Sequence, residues 1–168
     1  MLSVYCSTTY FSACKPDQCK NRATVCANGG TCVDGDCVCA VGYEGDSCQF
    51  RVNDKFDGVY ACIRTRLTNA DTISEGADDT LHVKALGDKF KIQFNSIRDS
   101  VYEVIQATVT GNYVTIPEQQ IDFPLFKAQY SGYGSLNSGV LTLTLFRTWD
   151  LAGINTSKTT YVGYIFEP

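Results

Sequence analysis

Cysteine is the residue on which this chain concentrates its reactive chemistry. Nine cysteines occur in 168 residues, and eight of them precede residue 49. Six of these, Cys19, Cys26, Cys32, Cys37, Cys39 and Cys48, follow one another with gaps of six, five, four, one and eight residues. Thiols at that density bind a metal, shuttle electrons or form disulfides. Zinc favours paired Cys-x-x-Cys ligands and histidine, but the only histidine, His82, lies far outside the cluster and that spacing is absent. A redox dithiol uses the same two-residue spacing, which the single residue between Cys37 and Cys39 does not provide. Disulfides remain. So short a segment buries too little apolar surface to offset its chain entropy, and each bridge in such a unit is worth about 2–5 kcal/mol. Spacing alone leaves many pairings open.

Outside the cluster, chemistry-bearing residues are sparse. In "LHVKA" His82 alternates with Leu81 and Val83, so its ring points outward to solvent. Arg64 and Glu103 have two readings: a buried pair that points into a barrel and lines a ligand pocket, or, more commonly for such charges, side chains at a barrel mouth or on the wet face. The run Tyr130 to Gly134, "YSGYG", suits stacking on a sugar, although glycine at alternate positions is equally what a tightly curved strand requires. One histidine and no matching motif do not assemble a nucleophile with a base, a metal centre or a carboxylate pair. The sequence therefore predicts no catalytic residue, no metal and no cofactor.

The elements that position these residues are strands. From Asp57 onward the pattern has period two: Phe90, Ile92 and Phe94 share one face of "KFKIQF", and Leu141, Leu143 and Leu145 share one face of "VLTLTLF". Similar readings of "GVYACIR", "TLHVKAL", "VYEVIQATVT", "YVTIP", "FKAQYSGYGSL" and "TTYVGYIF" give about eight strands in all. Gly87-Asp88, Gly111-Asn112 and Asn137-Ser138-Gly139 are hairpin signals between antiparallel neighbours, and no amphipathic helix intervenes. Closure into a barrel removes exposed edges and wraps the apolar faces around one core, with a two-sheet sandwich as the alternative. The chain thus reads as mainly β in three parts: an N-terminal segment 1–18, a disulfide-rich module 19–48 and a β domain 51–168.

Charge narrows the partners. A net charge of −4 with acids and bases interspersed offers no basic stripe, so no nucleic-acid partner is expected. No apolar run approaches the roughly 20 residues that span a bilayer, so membrane contact is expected only through an anchor.

The stretch Cys26-Ala27-Asn28-Gly29-Gly30-Thr31-Cys32, followed by Cys39-Ala40-Val41-Gly42-Tyr43-Glu44-Gly45-Asp46-Ser47-Cys48, resembles an EGF-like module. The resemblance implies the pairing Cys19–Cys32, Cys26–Cys37 and Cys39–Cys48. Gly29, Gly30, Gly42 and Gly45 are expected to supply positive-φ turns. Asp17 and Asp34 partly match the calcium-binding subtype. The "VDGD" loop lacks that subtype's aromatic residue and too few oxygens are present, so they read as solvated turn carboxylates.

"DKFDGVY", "ATVTGNYVTIPEQQ" and "YSGYGSLNSGVLTLT" after such a module resemble a group of bacterial envelope lipoproteins with a calycin-like (lipocalin-like) β-barrel. That group often carries a cysteine pair in the barrel. Here Cys62 is present, but the last strand has only Thr159 and Thr160 where a second cysteine would stand, which implies a lost bridge and a free thiol. Phe11-Ser12-Ala13-Cys14-Lys15 resembles a lipobox, which implies acylation of Cys14 after a signal whose true start lies upstream; the alternative is a disordered N-terminus with a Cys6–Cys14 bridge. Asp71-Thr72-Ile73, Asp79-Thr80-Leu81 and Asp99-Ser100-Val101 resemble bacterial O-glycosylation triplets at Thr72, Thr80 and Ser100, two of them in a predicted loop before "LHVKAL". Six oxidised cysteines imply export, and the lipobox implies the outer membrane of the cell envelope. The expected function is a non-catalytic surface interaction module binding a protein or glycan. An enclosed small apolar ligand is the alternative, and a hydrolase comes last.

Overall fold

The structure is a computed structural model that describes Cys19 and residues 25–69, 71–96 and 103–166, with backbone alone over 71–77. It is mainly β. The N-terminal module contains two small hairpins, β1 (Thr31–Val33) with β2 (Asp36–Val38) and β3 (Tyr43–Glu44) with β4 (Phe50–Arg51). Disulfides Cys19–Cys32, Cys26–Cys37 and Cys39–Cys48 join them. These three bonds set the chain in an oxidising, exported environment. Asp34 and Gly35 turn the first hairpin with φ of 51° and 96°. Gly42 and Gly45 also have positive φ, but Gly30 does not: a Cβ there would lie 2.8 Å from Cys48 Sγ. Gly30 is therefore required by close approach to the sulfurs and not by its dihedral.

A 3-10 turn, Asp54–Phe56, leads into eight strands: β5 (Gly58–Thr68), β6 (Asp71–Ala85), β7 (Lys91–Ser96), β8 (Ile105–Thr110), β9 (Tyr113–Asp122), β10 (Lys127–Asn137), β11 (Val140–Asp150) and β12 (Ile154–Ile165). Each pairs antiparallel with the next. The nine-residue register from Ser157↔Thr68 to Ile165↔Tyr60 joins β12 to β5, closing a barrel and removing the sandwich alternative. Strand β6 is longer than its sequence suggests. Asp71-Thr72 and Asp79-Thr80 lie within it and not in a preceding loop, because β5 supplies partners as far as Thr68↔Asp71.

The apolar stripe of every strand turns inward. Tyr60, Leu81, Ile92, Val109, Val114, Leu141, Leu143 and Tyr161 are all buried. Inward glycines make room: a Cβ on Gly132 would run into the carbonyl oxygen of Thr144, and one on Gly134 into that of Thr142. At one end, here called proximal, Phe56 plugs the barrel and its carbonyl accepts a hydrogen bond from Tyr60 Oη at 3.1 Å. The N-terminal module docks at this end on the β6–β7 turn. Lys89 Nζ donates to Val41 O at 2.6 Å and sits 4.5 Å from the Tyr43 ring centroid. Val52 N donates to Gly42 O at 3.1 Å, and Lys55 Nζ meets Glu44 Oε2 at 2.9 Å. Buried Asn53 donates through Nδ2 to the carbonyls of Leu86, Asp88 and Lys91 at 2.9–3.1 Å.

Candidate recognition site at the distal mouth

Toward the opposite, distal end the barrel interior changes from apolar to polar along β5, β11 and β12. On β5 the inward series runs Tyr60, Cys62, Arg64; on β11 it runs Leu143, Leu145, Arg147; on β12 it runs Tyr161, Thr159, Ser157. Buried polar groups are tolerated only when paired. The two buried carboxylates are each paired here, one in each of two clusters.

In the first, Glu103 is buried just before β8. Its Oε1 accepts from Tyr130 Oη at 2.6 Å and faces Arg147 Nη1 at 3.2 Å. The Arg147 guanidinium lies 4.9 Å from the Trp149 ring centroid and 5.4, 5.5 and 5.6 Å from those of Phe123, Tyr130 and Phe126. A planar, weakly hydrated cation suits such a ring cage. Phe123 stacks on Phe126 at 4.7 Å, and Phe123 N donates to Phe126 O at 2.8 Å, closing the β9–β10 turn. In the second cluster, Asp79 Oδ2 accepts from Ser96 Oγ at 2.5 Å and lies 3.7 Å from Arg64 Nε, while Asp79 Oδ1 accepts from Thr80 N at 2.7 Å. Of the two readings open for Arg64 and Glu103, the structure shows the buried one, but each has its own partner and they do not pair with each other. Both carboxylates are held by a cation and a hydroxyl donor.

Above these clusters stands an apolar rim. Leu125, at the tip of the turn that Phe123 and Phe126 close, is 83% exposed; Leu151 and Ile154, at the β11–β12 turn, are 49% and 79% exposed. Sequence reasoning missed Arg147, Asp79 and this rim. The parity of "LTLTLFRTW" does put Arg147 inward, after Leu141, Leu143 and Leu145.

Other expected residues fall elsewhere. Cys62 is buried, and among the described cysteines it is the free one. Burial, and then the nearby Asp79 carboxylate, push its thiol up to about 11. That disfavours the nucleophilic thiolate. Across the ladder Cys62 faces Gly163, not Thr159 or Thr160, and its sulfur fills the space where a Gly163 Cβ would stand. His82 is exposed on the outer wall, beside a groove of about 320 Å³ that it lines with Asp57, Lys84, Gln93 and Asn95. Tyr130 points into the barrel and Tyr133 out of it, so "YSGYG" presents no single stacking platform. Thr80 lines a second outer groove of about 410 Å³ with Ala61, Ile63, Asp78, Val162 and Tyr164. Thr72 lies in β6, but its side chain, Cys6, Cys14, Asp17 and Ser100 are outside the described residues. Asp34 is an exposed turn residue, and no group of three potential metal ligands occurs among the described residues. No helix among them is long and apolar enough to cross a membrane. No family model, no curated protein and no solved structure matches this chain.

Proposed function

We propose that this protein is an exported, non-catalytic interaction module that recognises a partner through the distal rim of its barrel. The observation that carries this reading is the exposure of Leu125, Leu151 and Ile154 over the locked Arg147 cluster. Exposed apolar side chains on rigid turns resemble the anchors of protein–protein interfaces. Tyr60, Tyr130 and Tyr161 are each about 1% exposed, so the interior around them offers no surface to a ligand, which favours recognition at the rim over an enclosed apolar molecule.

In this reading the stapled N-terminal unit is an EGF-like module and the barrel is calycin-like. The chain is held on the outer face of a bacterial envelope by acylation at Cys14 and carries glycans at Thr72, Thr80 and Ser100. Docking of the module at the proximal end then turns the rim away from the anchored N-terminus. Intact-mass analysis of protein recovered from its envelope reads cleavage, acylation and glycans together.

The binding test uses the full oxidised chain on beads against extracellular fractions. A partner retained by the native chain and lost at least about ten-fold by Leu125→Ser with Ile154→Ser supports the rim. Turnover of an envelope substrate that depends on Glu103 refutes the non-catalytic reading.

A further inference from the structure

A separate feature lies on the outer wall of β5, β6 and β7, away from the rim. Two cross-strand rows face outward there. In the first, Val59, His82 and Asn95 stand side by side, and Phe166, whose N–H donates to Val59 O at 2.6 Å, extends the row from β12. In the second, Lys84 stands opposite Gln93, and Asp57 is fixed beside them because its Oδ2 accepts from Ala85 N at 2.8 Å. The rows border the hollow of about 320 Å³, which Gly58 also lines. The protein does not use the polar groups gathered here. Gln93 and Asn95 are half-buried, yet among the described residues neither amide makes a hydrogen bond. The His82 ring and the Lys84 ammonium make none either, although each stands directly across the ladder from one of those amides. Glutamines elsewhere bond their neighbours: Gln119 reaches Gln106 N at 3.0 Å and Gln106 O at 2.8 Å, and Gln120 reaches Asp122 at 2.6 Å. A half-buried amide without a partner has lost part of its hydration, and it gains from a group that both donates and accepts.

We propose that this hollow binds one sugar unit of a saccharide, its hydroxyls on Gln93, Asn95, His82 and Lys84 and its C–H face on Val59 and Phe166. Phe166 is 61% exposed beside the half-buried Val59, so ring and apolar floor are both open to a ligand. Sugar hydroxyls donate and accept at once, which is what paired amides and an imidazole require. Other ligand classes fit less well. A phosphate or nucleotide needs clustered cations, whereas Asp57 puts a carboxylate in the same hollow as Lys84. An extended peptide needs a free strand edge, but β5 and β6 are each laddered on both sides. An apolar molecule would cover the amides without bonding them. The volume lies at the small end of the roughly 300–1,000 Å³ of ligand sites, which suits a single unit and not a larger molecule.

The test is a proton–nitrogen correlation NMR titration of the full oxidised chain. The probes are the methyl glycosides of glucose, galactose, mannose and N-acetylglucosamine, together with glucuronate, each raised to about 50 mM so that millimolar dissociation constants are bracketed. The expected result is a saturable shift, with at least one of these sugars, of the Gln93 and Asn95 side-chain amide signals and the His82 backbone signal. His82→Ala, and separately Asn95→Ala, are expected to weaken that binding about five-fold or more, the loss of about one hydrogen bond. Neither side chain is bonded within the fold, and the dispersion of the spectrum identifies any variant that fails to fold. Gln129→Ala, on β10 across the barrel, is the control and leaves the affinity unchanged. No saturable shift with any of the sugars overturns the proposal, as do shifts indifferent to both substitutions or weakened equally by Gln129→Ala. Inorganic phosphate that saturates the same signals at a lower concentration than every sugar overturns the ligand class.

Discussion

Arg147 does two things at residue scale: it neutralises a buried carboxylate and fills a ring cage at once. Its replacement by Met strands Glu103 in the interior with Tyr130 Oη as the remaining partner. Breaking one side of a buried pair typically costs about 3–5 kcal/mol, and that loss is expected in urea unfolding. Adding Glu103→Gln to Arg147→Met is expected to recover part of it; a Glu103→Gln change that makes matters worse contradicts the pairing. Cys62 gives a pH-dependent prediction. Its thiol is raised from 9.0 to about 11 in the folded barrel. The native state therefore keeps the proton that the unfolded chain releases. The stabilising contribution is complete below about pH 9 and disappears as pH rises through 11. The gap in urea midpoint between the native chain and Cys62→Ala is expected to shrink over that window; the part of the Tyr60 shift, to about 12, that comes from burial and Asp57 is common to both and cancels. A constant gap refutes the assignment.

At the scale of elements, strand curvature rests on small inward residues. Gly132 and Gly134 on β10 sit opposite Leu145 and Leu143 of β11. Glycine's absent side chain lets the strands approach where alanine would meet backbone. Gly132→Ala is expected to destabilise by about 1–3 kcal/mol through overpacking, seen as a lowered urea midpoint with unchanged slope. An unchanged midpoint would show that β11 shifts freely. On the other flank, β9 has an irregular register between Ile116 and Gln119, where Pro117, with no N–H to donate, is accommodated. That irregularity carries β9 onward to Ile121 and Asp122, where the Phe123–Phe126 turn begins.

Across the whole molecule the junction decides whether module and barrel move together. Asn53 supplies three of the contacts to the β6–β7 turn, and Arg51 bridges the same turn through Leu86 O at 3.0 Å. Arg51 donates from Nε and Nη2 to Asp54 Oδ1, and these bonds hold the Asp54 carboxyl below its ordinary range. Asn53→Ala is expected to cost about 1 kcal/mol for each hydrogen bond lost and no more, since Leu86 O, Asp88 O and Lys91 O each keep a second donor in Arg51 Nη1, Lys91 N and Leu86 N. It should also raise hydrogen exchange at Lys91 and across residues 39–48, because the module loses its seat. Exchange confined to the 3-10 turn would show that the docking stands on Lys89 alone.

The sequence by itself determined the two kinds of material in this protein. Cysteine density in a segment too short for a core demanded staples, and period-two patterning in the remainder demanded strands with one apolar face. Both follow from local physics, since a side chain's face is fixed by its position along the strand. For Arg64 and Glu103 that parity left the interior and the wet face both open, because a charge is ordinarily buried only with a partner. What lies across the ladder was not. The partner of Arg64 is Asp79 on β6 and the partner of Glu103 is Arg147, 44 positions away, because register and closure set which strands meet. The same limit hid Gly163 opposite Cys62, the pairing of strand β6 beyond its apolar stretch, and the close approach at Gly30. Closure itself came only with the β12–β5 ladder, since alternation specifies a face and says nothing of whether the first and last strands join. The rim is tertiary too: it gathers Leu125, Leu151 and Ile154 from turns that the chain holds apart.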